Sequence, residues 1–244
     1  MRNIKITIQY NGSEYCGWQS QPNSLGIQGN IENAIYYITK EKVKIIGSGR
    51  TDAGVHSLGQ VANFNLISNI ATDKICSALN SKLPQDISII DCEEVSEKFH
   101  SRYSAKKKTY RYLISNSKYR NPIYKDISYQ VKYDLDIDKL KNEAQSLIGT
   151  YDFKGFMSSG SQVNDTVRTI EDINIYENNE GLIVIEVTGN GFLYNMVRII
   201  VGTLIDIGRG RINIALKDII SSKNREMAGH TAPSNGLFLK KVYY

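Results

Sequence analysis

Between Gly47 and Ser57 the sequence reads Gly-Ser-Gly-Arg-Thr-Asp-Ala-Gly-Val-His-Ser, which sets Arg50 and Asp52 two positions apart among Gly47, Gly49 and Gly54. Glycines so spaced allow positive φ and close approach of backbone to a ligand. A carboxylate held there can act as a nucleophile or a proton acceptor. Phosphate binding fails on detail: no Lys-Ser/Thr pair follows Gly54, and Gly47-x-Gly49-x-x-Asp52 lacks the third glycine of a dinucleotide fingerprint. The competing reading is a structural turn, with Asp52 capping backbone and Arg50 solvated.

A second feature is electrostatic. The 244 residues carry a formal net charge of +5, from 30 Lys and Arg against 25 Asp and Glu. From Lys98 to Lys125 there are nine basic residues and no acidic one, so the other 216 residues hold a net −4. Phe99, Tyr103, Tyr110, Tyr112, Tyr119 and Tyr124 are interleaved with those cations. Cations neutralise phosphates and aromatic faces stack on splayed bases, a combination suited to RNA loops and single strands. The plainer alternative is a lysine-protected strand edge. Arg198 stands apart, inside the apolar run Met196-Val-Arg-Ile-Ile-Val201. It either snorkels to water or pairs with a carboxylate.

Other chemistries find little support. Cys16, Cys76 and Cys92 form neither a disulfide framework nor a paired zinc motif, and His56, His100 and His230 are scattered. No apolar run approaches the roughly 18 residues of a membrane span, and the alternating start, Arg2 to Tyr10, lacks a signal-peptide core. The expectation is a soluble, reduced, cytoplasmic protein without metal.

The elements that must position these residues follow from periodicity. Ile4, Ile6, Ile8 and Tyr10 alternate as a strand, and Ile31, Ala34, Ile35 and Ile38 mark one face of a helix. Strands over Lys42–Ile46 and Gln60–Leu66, a helix over Thr72–Leu83 and a strand over Ile87–Val95 complete a β-α-β-β-α-β order. The second half repeats it. A strand at Lys106–Ser115 precedes a helix capped by Asp136. A hairpin joins Val167–Tyr176 to Leu182–Thr188. A long helix near Phe192–Ile207 and a shorter one from Asn213 lead to a last strand, Leu237–Tyr243. The fold class expected is α+β, with tandem ferredoxin-like halves, 1–104 and 105–244, forming a mainly antiparallel sheet flanked by helices. The first half joins its middle strands by the long 47–57 loop and the second by a short turn, which makes that loop the first place to seek chemistry.

Gly49-Arg-Thr-Asp-Ala-Gly-Val-His56 resembles the catalytic loop of the TruA-type tRNA pseudouridine synthases. Gly17-Trp18-Gln19, Gln28-Gly29, Ala78-Leu79-Asn80 with Leu83-Pro84, Phe99-His100-Ser-Arg102, Lys108-x-Tyr110-x-Tyr112, Arg120-Asn-Pro122, Gly191-Phe-Leu-Tyr-Asn-Met-Val-Arg198, Ala232-Pro233 and Gly236-Leu237 are similar to other family segments, in family order along almost the whole chain. Ser48, Ser101 and Tyr151 depart from the family pattern, where Ala, Ala and His are usual, and none is a proposed catalytic group.

The resemblance implies an isomerase that converts uridine to pseudouridine in the anticodon stem-loop of tRNA, at positions 38–40. It also implies the pseudouridine synthase fold with a sheet shared by both halves, a homodimer, and neither metal nor organic cofactor. Asp52 is then the catalytic carboxylate, and Arg198 supports it by pairing. Tyr110, Arg50, His100, Arg102, Lys106 and Lys108 bind substrate, with Tyr110 stacking on the base and the cations meeting the RNA backbone. The N1–C1′ bond must break and the uracil turn and rejoin through C5. Asp52 can attack sugar or base, or remove a 2′ proton. Two readings from other classes stay open: a non-catalytic tRNA-binding module of the same fold, and an Asp-dependent nucleoside hydrolase, although hydrolysis by the usual route needs two carboxylates.

Overall fold

A computed structural model describes residues 1–21, 24, 26–160 and 163–244. It divides into two compact units, one formed by Met1–Lys106 with Phe238–Tyr244 and the other by Lys107–Leu237.

In the first unit the order is β1 (Arg2–Tyr10), α1 (Ile27–Thr39), β2 (Ile46–Gly47), β3 (His56–Leu66), α2 (Thr72–Asn80) and β4 (Ile87–Val95). β1 pairs antiparallel with both β3 and β4, and β2 pairs antiparallel with β3. That order, β4-β1-β3-β2, is the split β-α-β arrangement the alternation predicts. Ile4, Ile6 and Ile8 point to one face, where α1 (Ile27, Ile31, Ala34, Ile35) and α2 (Ile75, Leu79) bury them. The opposite face carries a buried polar pair: Asn63 Nδ2 donates to Asn3 Oδ1 at 2.9 Å. The chain's last strand, β10 (Leu237–Tyr243), pairs parallel with β3, Phe238 opposite His56 and Leu239 opposite Ser57. Sequence order had grouped it with residues 105–244.

Three elements of this unit differ from the periodicity, and the first is β3, which begins at His56 and not at Gln60. The strand expected over Lys42–Ile46 shrinks to Ile46–Gly47. Ile45 N–H donates instead to Glu32 Oε1 on α1 at 3.0 Å, which takes that backbone out of the ladder. The helix expected to reach Leu83 stops at Asn80, whose side-chain amide exchanges two 2.8 Å hydrogen bonds with the Ile89 backbone.

The second unit contains β5 (Lys107–Asn116), β6 (Tyr129–Val131), α3 (Ile137–Ala144), β7 (Gly149–Asp152), β8 (Val167–Glu177), β9 (Ile183–Gly189), α4 (Met196–Gly208) and α5 (Leu216–Ser222). β5 pairs antiparallel with β9, β9 with β8 and β8 with β7, while β6 lies parallel to β5. Asp136 caps α3 as expected, its side chain accepting the Lys139 N–H at 2.9 Å. In the hairpin turn Asn178 Oδ1 accepts the N–H groups of Glu180 and Leu182. Eleven of the thirteen residues of α4 are buried, so it runs through the core of its unit. It starts four residues later than the apolar run suggests, because Asn195 adopts φ 60° and breaks the helix there. The fold is thus α+β in both units, with mainly antiparallel sheets flanked by helices.

Candidate active site

The loop from Ser48 to Val55 is anchored along its whole length. Ser48 N–H donates to the Val61 carbonyl at 2.7 Å, and its hydroxyl donates to Gln60 Oε1 at 2.6 Å. Gln60 Nε2 in turn donates to the Gly49 carbonyl at 3.0 Å. Further along, Trp18 N–H donates to the Thr51 carbonyl at 3.0 Å, and the buried hydroxyls of Tyr10 and Thr51 lie 2.8 Å apart. Val55 N–H closes a turn on the Asp52 carbonyl at 3.1 Å, with Gly54 at φ 75°. A slip in the β1–β3 register between Ile8 and Tyr10 re-aims the end of β1, where Tyr10 meets the loop.

Gly17 completes the clamp. It sits at φ 104°, and a Cβ there would lie 2.4 Å from the Thr51 carbonyl oxygen and 3.0 Å from the Asp52 carbonyl carbon. Only a residue without a side chain lets these two backbones meet. The backbone of Asp52 is therefore fixed from β1, β3 and the 12–18 segment, and its side chain is half-buried. Arg50, two residues earlier, is exposed. His56 is a core residue: it is 1% exposed, stacks on Phe238 at 4.6 Å, and its Nδ1 accepts the Gly12 N–H at 3.0 Å.

The same unit holds His100, Arg102 and Lys106. Asn3 Nδ2 donates to the carbonyls of Ser96 and Phe99, and Asn63 Oδ1 accepts the Ser101 N–H, so the buried asparagine pair secures this segment. His100 Nδ1 accepts the N–H groups of Arg102 (3.1 Å) and Tyr103 (3.2 Å), and its ring stacks on Tyr103 at 4.3 Å. These contacts give His100 a loop-shaping role. Arg102 is exposed with its guanidinium 5.7 Å from the Tyr103 ring. Lys106 is exposed, and its N–H donates to the Tyr243 carbonyl at 2.8 Å.

Lys108, Tyr110 and Arg198 lie in the second unit. Lys108, Tyr110 and Tyr112 alternate along β5 and so share one face. The Tyr110 ring meets Phe192 edge-on, at 5.1 Å and 82°. Tyr112 is fully buried and donates its hydroxyl to the Pro233 carbonyl at 2.7 Å. Burial pushes its phenol well above the ordinary range, against an opposing pull from Arg198. Arg198 is held from two sides: Nε donates to the Ala232 carbonyl at 2.7 Å and Nη1 to Asn195 Oδ1 at 2.8 Å. Its guanidinium is thus pre-oriented and does not simply snorkel to water. Asn195 continues the chain, donating from Nδ2 to Ser158 Oγ at 3.0 Å.

Within the acid-free stretch, Lys107 pairs with Glu171 (2.8 Å), Arg111 with Glu186 (2.8 Å) and Lys125 with Asp126 (3.7 Å). These are ordinary structural pairs. Sequence reading did not find Tyr10, Gly17, Asn195 or the Ala232 carbonyl as parts of the machinery. Gly17, Asn195 and Ala232 stand in segments similar to the family, but nothing in the sequence assigns them these contacts. Among the described residues, no group of three or more His, Cys, Asp or Glu side chains could hold a metal ion, and no helix is long and apolar enough to cross a membrane.

Comparison with known proteins adds a further finding. A family model described as tRNA pseudouridine synthase matches residues 6–104 and 144–244, which include Arg50, Asp52, His100, Arg102 and Arg198. The chain is similar along its full length to curated proteins named tRNA pseudouridine synthase A. It is 52% identical to the one from Caldicellulosiruptor saccharolyticus and 48% identical to the one from Acetivibrio thermocellus, each over 100% of both chains. The similar protein of Thermoanaerobacter sp. is 47% identical, again over 100% of both chains. These relatives also span residues 105–143, where Lys106, Lys108 and Tyr110 lie.

Proposed function

The chain belongs to the tRNA pseudouridine synthase family, an enzyme family of isomerases acting on tRNA, and from that premise we propose that it acts on uridines of the anticodon stem-loop, at positions 38–40, with Asp52 as the catalytic carboxylate. The observation that carries the assignment to Asp52 is the clamped loop. Its backbone is tied by the Trp18 N–H, the Val55 N–H, the Tyr10 hydroxyl and the close packing of Gly17. A reacting group needs such fixed placement, since orientation alone contributes several kcal/mol to a barrier.

The target uridine leaves its stack at a cost of a few kcal/mol. Tyr110, braced edge-on by Phe192, stacks on the extruded base. Asp52 begins the exchange as an ionised carboxylate, whether it attacks sugar or base or takes the 2′ proton. Arg198 is the cation that keeps Asp52 ionised, since a nearby guanidinium lowers a carboxylate pKa; its rigid attachment to Ala232 and Asn195 supports that role. The N1–C1′ bond breaks, the uracil turns, and C5 bonds to C1′ as Asp52 leaves its adduct or returns the 2′ proton; the C5 proton is lost and N1 gains one, so product and substrate are isomers. Arg50, His100, Arg102, Lys106 and Lys108 bind the RNA around that step. A homodimer in the cytoplasm belongs to the same proposal, and light scattering on the purified chain tests the dimer.

The test is mapping. Anticodon-arm transcripts with uridine at 38, 39 or 40 are treated with enzyme, labelled with a pseudouridine-reactive carbodiimide and read by primer extension. Stops at those positions support the reading. Full-length tRNA carrying the same uridines is treated in parallel, and stops confined to another of its arms, with none in the anticodon-arm transcripts, would overturn the choice of substrate region.

A further inference from the structure

Within the second unit, Lys154, Ser158, Ser159, Lys223, Asn224 and Arg225 line a cavity of about 610 Å³. The two walls are the short turn Lys154–Phe156 with the residues after it, and the Lys223–Met227 segment after α5. Three cations face this space against one adjoining carboxylate, Asp152, which Lys223 pairs at 3.0 Å. Among the described residues, Lys154 has no ion pair. Arg225 is half-buried, and its guanidinium donates to neutral oxygens: the carbonyls of Ala228 (3.3 Å) and Gly229 (2.9 Å), and Thr231 Oγ1 (3.2 Å). A partly desolvated guanidinium held open by neutral acceptors is a ready partner for an anion. Burial lowers its pKa, so an anion there would relieve a real cost.

The lining also says what kind of anion fits. Ser158, Ser159 and Asn224 supply neutral donors, and Met157 is the apolar contribution. With no aromatic face for a base among its described lining residues, the cavity suits the sugar–phosphate backbone and leaves base identity unread. It is joined to the candidate machinery through one side chain, because Ser158 Oγ accepts from Asn195, whose Oδ1 accepts from Arg198.

We propose that this cavity is a phosphate site that grips a backbone phosphodiester of the tRNA near the nucleotide being isomerised. The ligand's identity rests on the family reading above; the cavity and its charge do not. Seating a phosphate here anchors the RNA against the wall that, through Asn195, also positions Arg198. Its loss is expected in binding and KM and not in the chemical step.

The experiment measures tRNA affinity over a series of KCl concentrations for wild type and three variants. Lys154→Gln/Lys223→Gln removes two cavity charges, and Lys154→Glu reverses one while leaving the Asp152–Lys223 pair intact. Lys139→Gln/Lys141→Gln removes the same charge from α3, away from the cavity, as a matched control. The cavity double variant is expected to bind roughly tenfold more weakly, the scale of one or two charge-assisted hydrogen bonds, with a salt slope shallower by about one. Lys154→Glu should weaken binding at least as much, and kcat at saturating tRNA should stay at the wild-type value. Unchanged affinity and slope in both cavity variants, or an equal loss in the α3 control, would overturn the proposal. Pseudouridine formation by wild type is scored separately on the same tRNA. Its absence would remove the enzymatic reading, whereas the salt slope alone decides the cavity.

Discussion

Gly17→Ala probes the clamp on the Asp52 loop without touching a reacting group. At φ 104° an alanine is strained, and its Cβ would lie 2.4 Å from the Thr51 carbonyl oxygen, a backbone atom that cannot swing aside. Strain of this kind costs about 1–2 kcal/mol. Restoring an ordinary contact of about 3.5 Å requires the loop to retreat by about 1 Å, and a misplacement of that size can cost on the order of 100-fold in rate. Gly210→Ala supplies the comparison. Gly210 has φ 69°, but among the described residues no atom lies within 4 Å of its Cβ position, so it carries strain without displacement. Both variants should lose melting temperature, at about 2–4 °C per kcal/mol for a chain of this size. Single-turnover pseudouridine formation with saturating enzyme should fall on the order of 100-fold for Gly17→Ala and stay near wild type for Gly210→Ala. Wild-type turnover in Gly17→Ala, with its melting temperature lowered like that of Gly210→Ala, would refute the claim that loop placement governs the reaction.

Three further outcomes are expected. Tyr110→Ala should lower kcat/KM by roughly 5- to 150-fold, the worth of one base–aromatic stack; Tyr110→Phe separates the ring from the hydroxyl, and full activity there would leave stacking as the residue's sole role. Arg198→Met should abolish most turnover while tRNA affinity, measured by filter binding, stays near wild type; equal activity would defeat its proposed support of Asp52. On the acid side, the Thr166 hydroxyl, 2.5 Å from Asp152, holds that carboxyl below its ordinary value of 3.8; Lys223 assists and burial opposes. The unfolded chain therefore takes up this proton first, so the contribution is whole above that ordinary value and is lost as pH falls through the native one. Asp152→Asn should flatten the acid limb of the urea-midpoint profile, and an unaltered limb would count against it.

Much of the scaffold is legible in the sequence because local periodicity and burial agree. Ile4, Ile6 and Ile8 alternate along β1 and are all fully buried, and the Val167–Tyr176 hairpin and the Asp136 cap need only near neighbours. What escapes is set by partners distant in sequence. Lys42–Ile45 has strand composition, but Glu32 captures the Ile45 N–H from α1. β6 and β7, of three and four residues, are too short to display a period. In the candidate site the Gly/Asp loop is visible as a departure from the short turn of the other half. Its clamp is not, since Tyr10, Gly17 and Trp18 reach it from more than thirty residues away. One of the groups that hold Arg198 is a backbone carbonyl, which any residue at position 232 would supply.

Asp52 is proposed to start a base isomerisation in tRNA. Release of tritium from tRNA carrying 5-³H-uridine reports loss of the C5 proton and nothing else in the proposed sequence, so wild type and Asp52→Asn compared on one substrate give the most direct measurement. Release by wild type and none above background for Asp52→Asn is expected, with tRNA binding kept by both. Release by Asp52→Asn at the wild-type rate, or free uracil in place of pseudouridine, would contradict it.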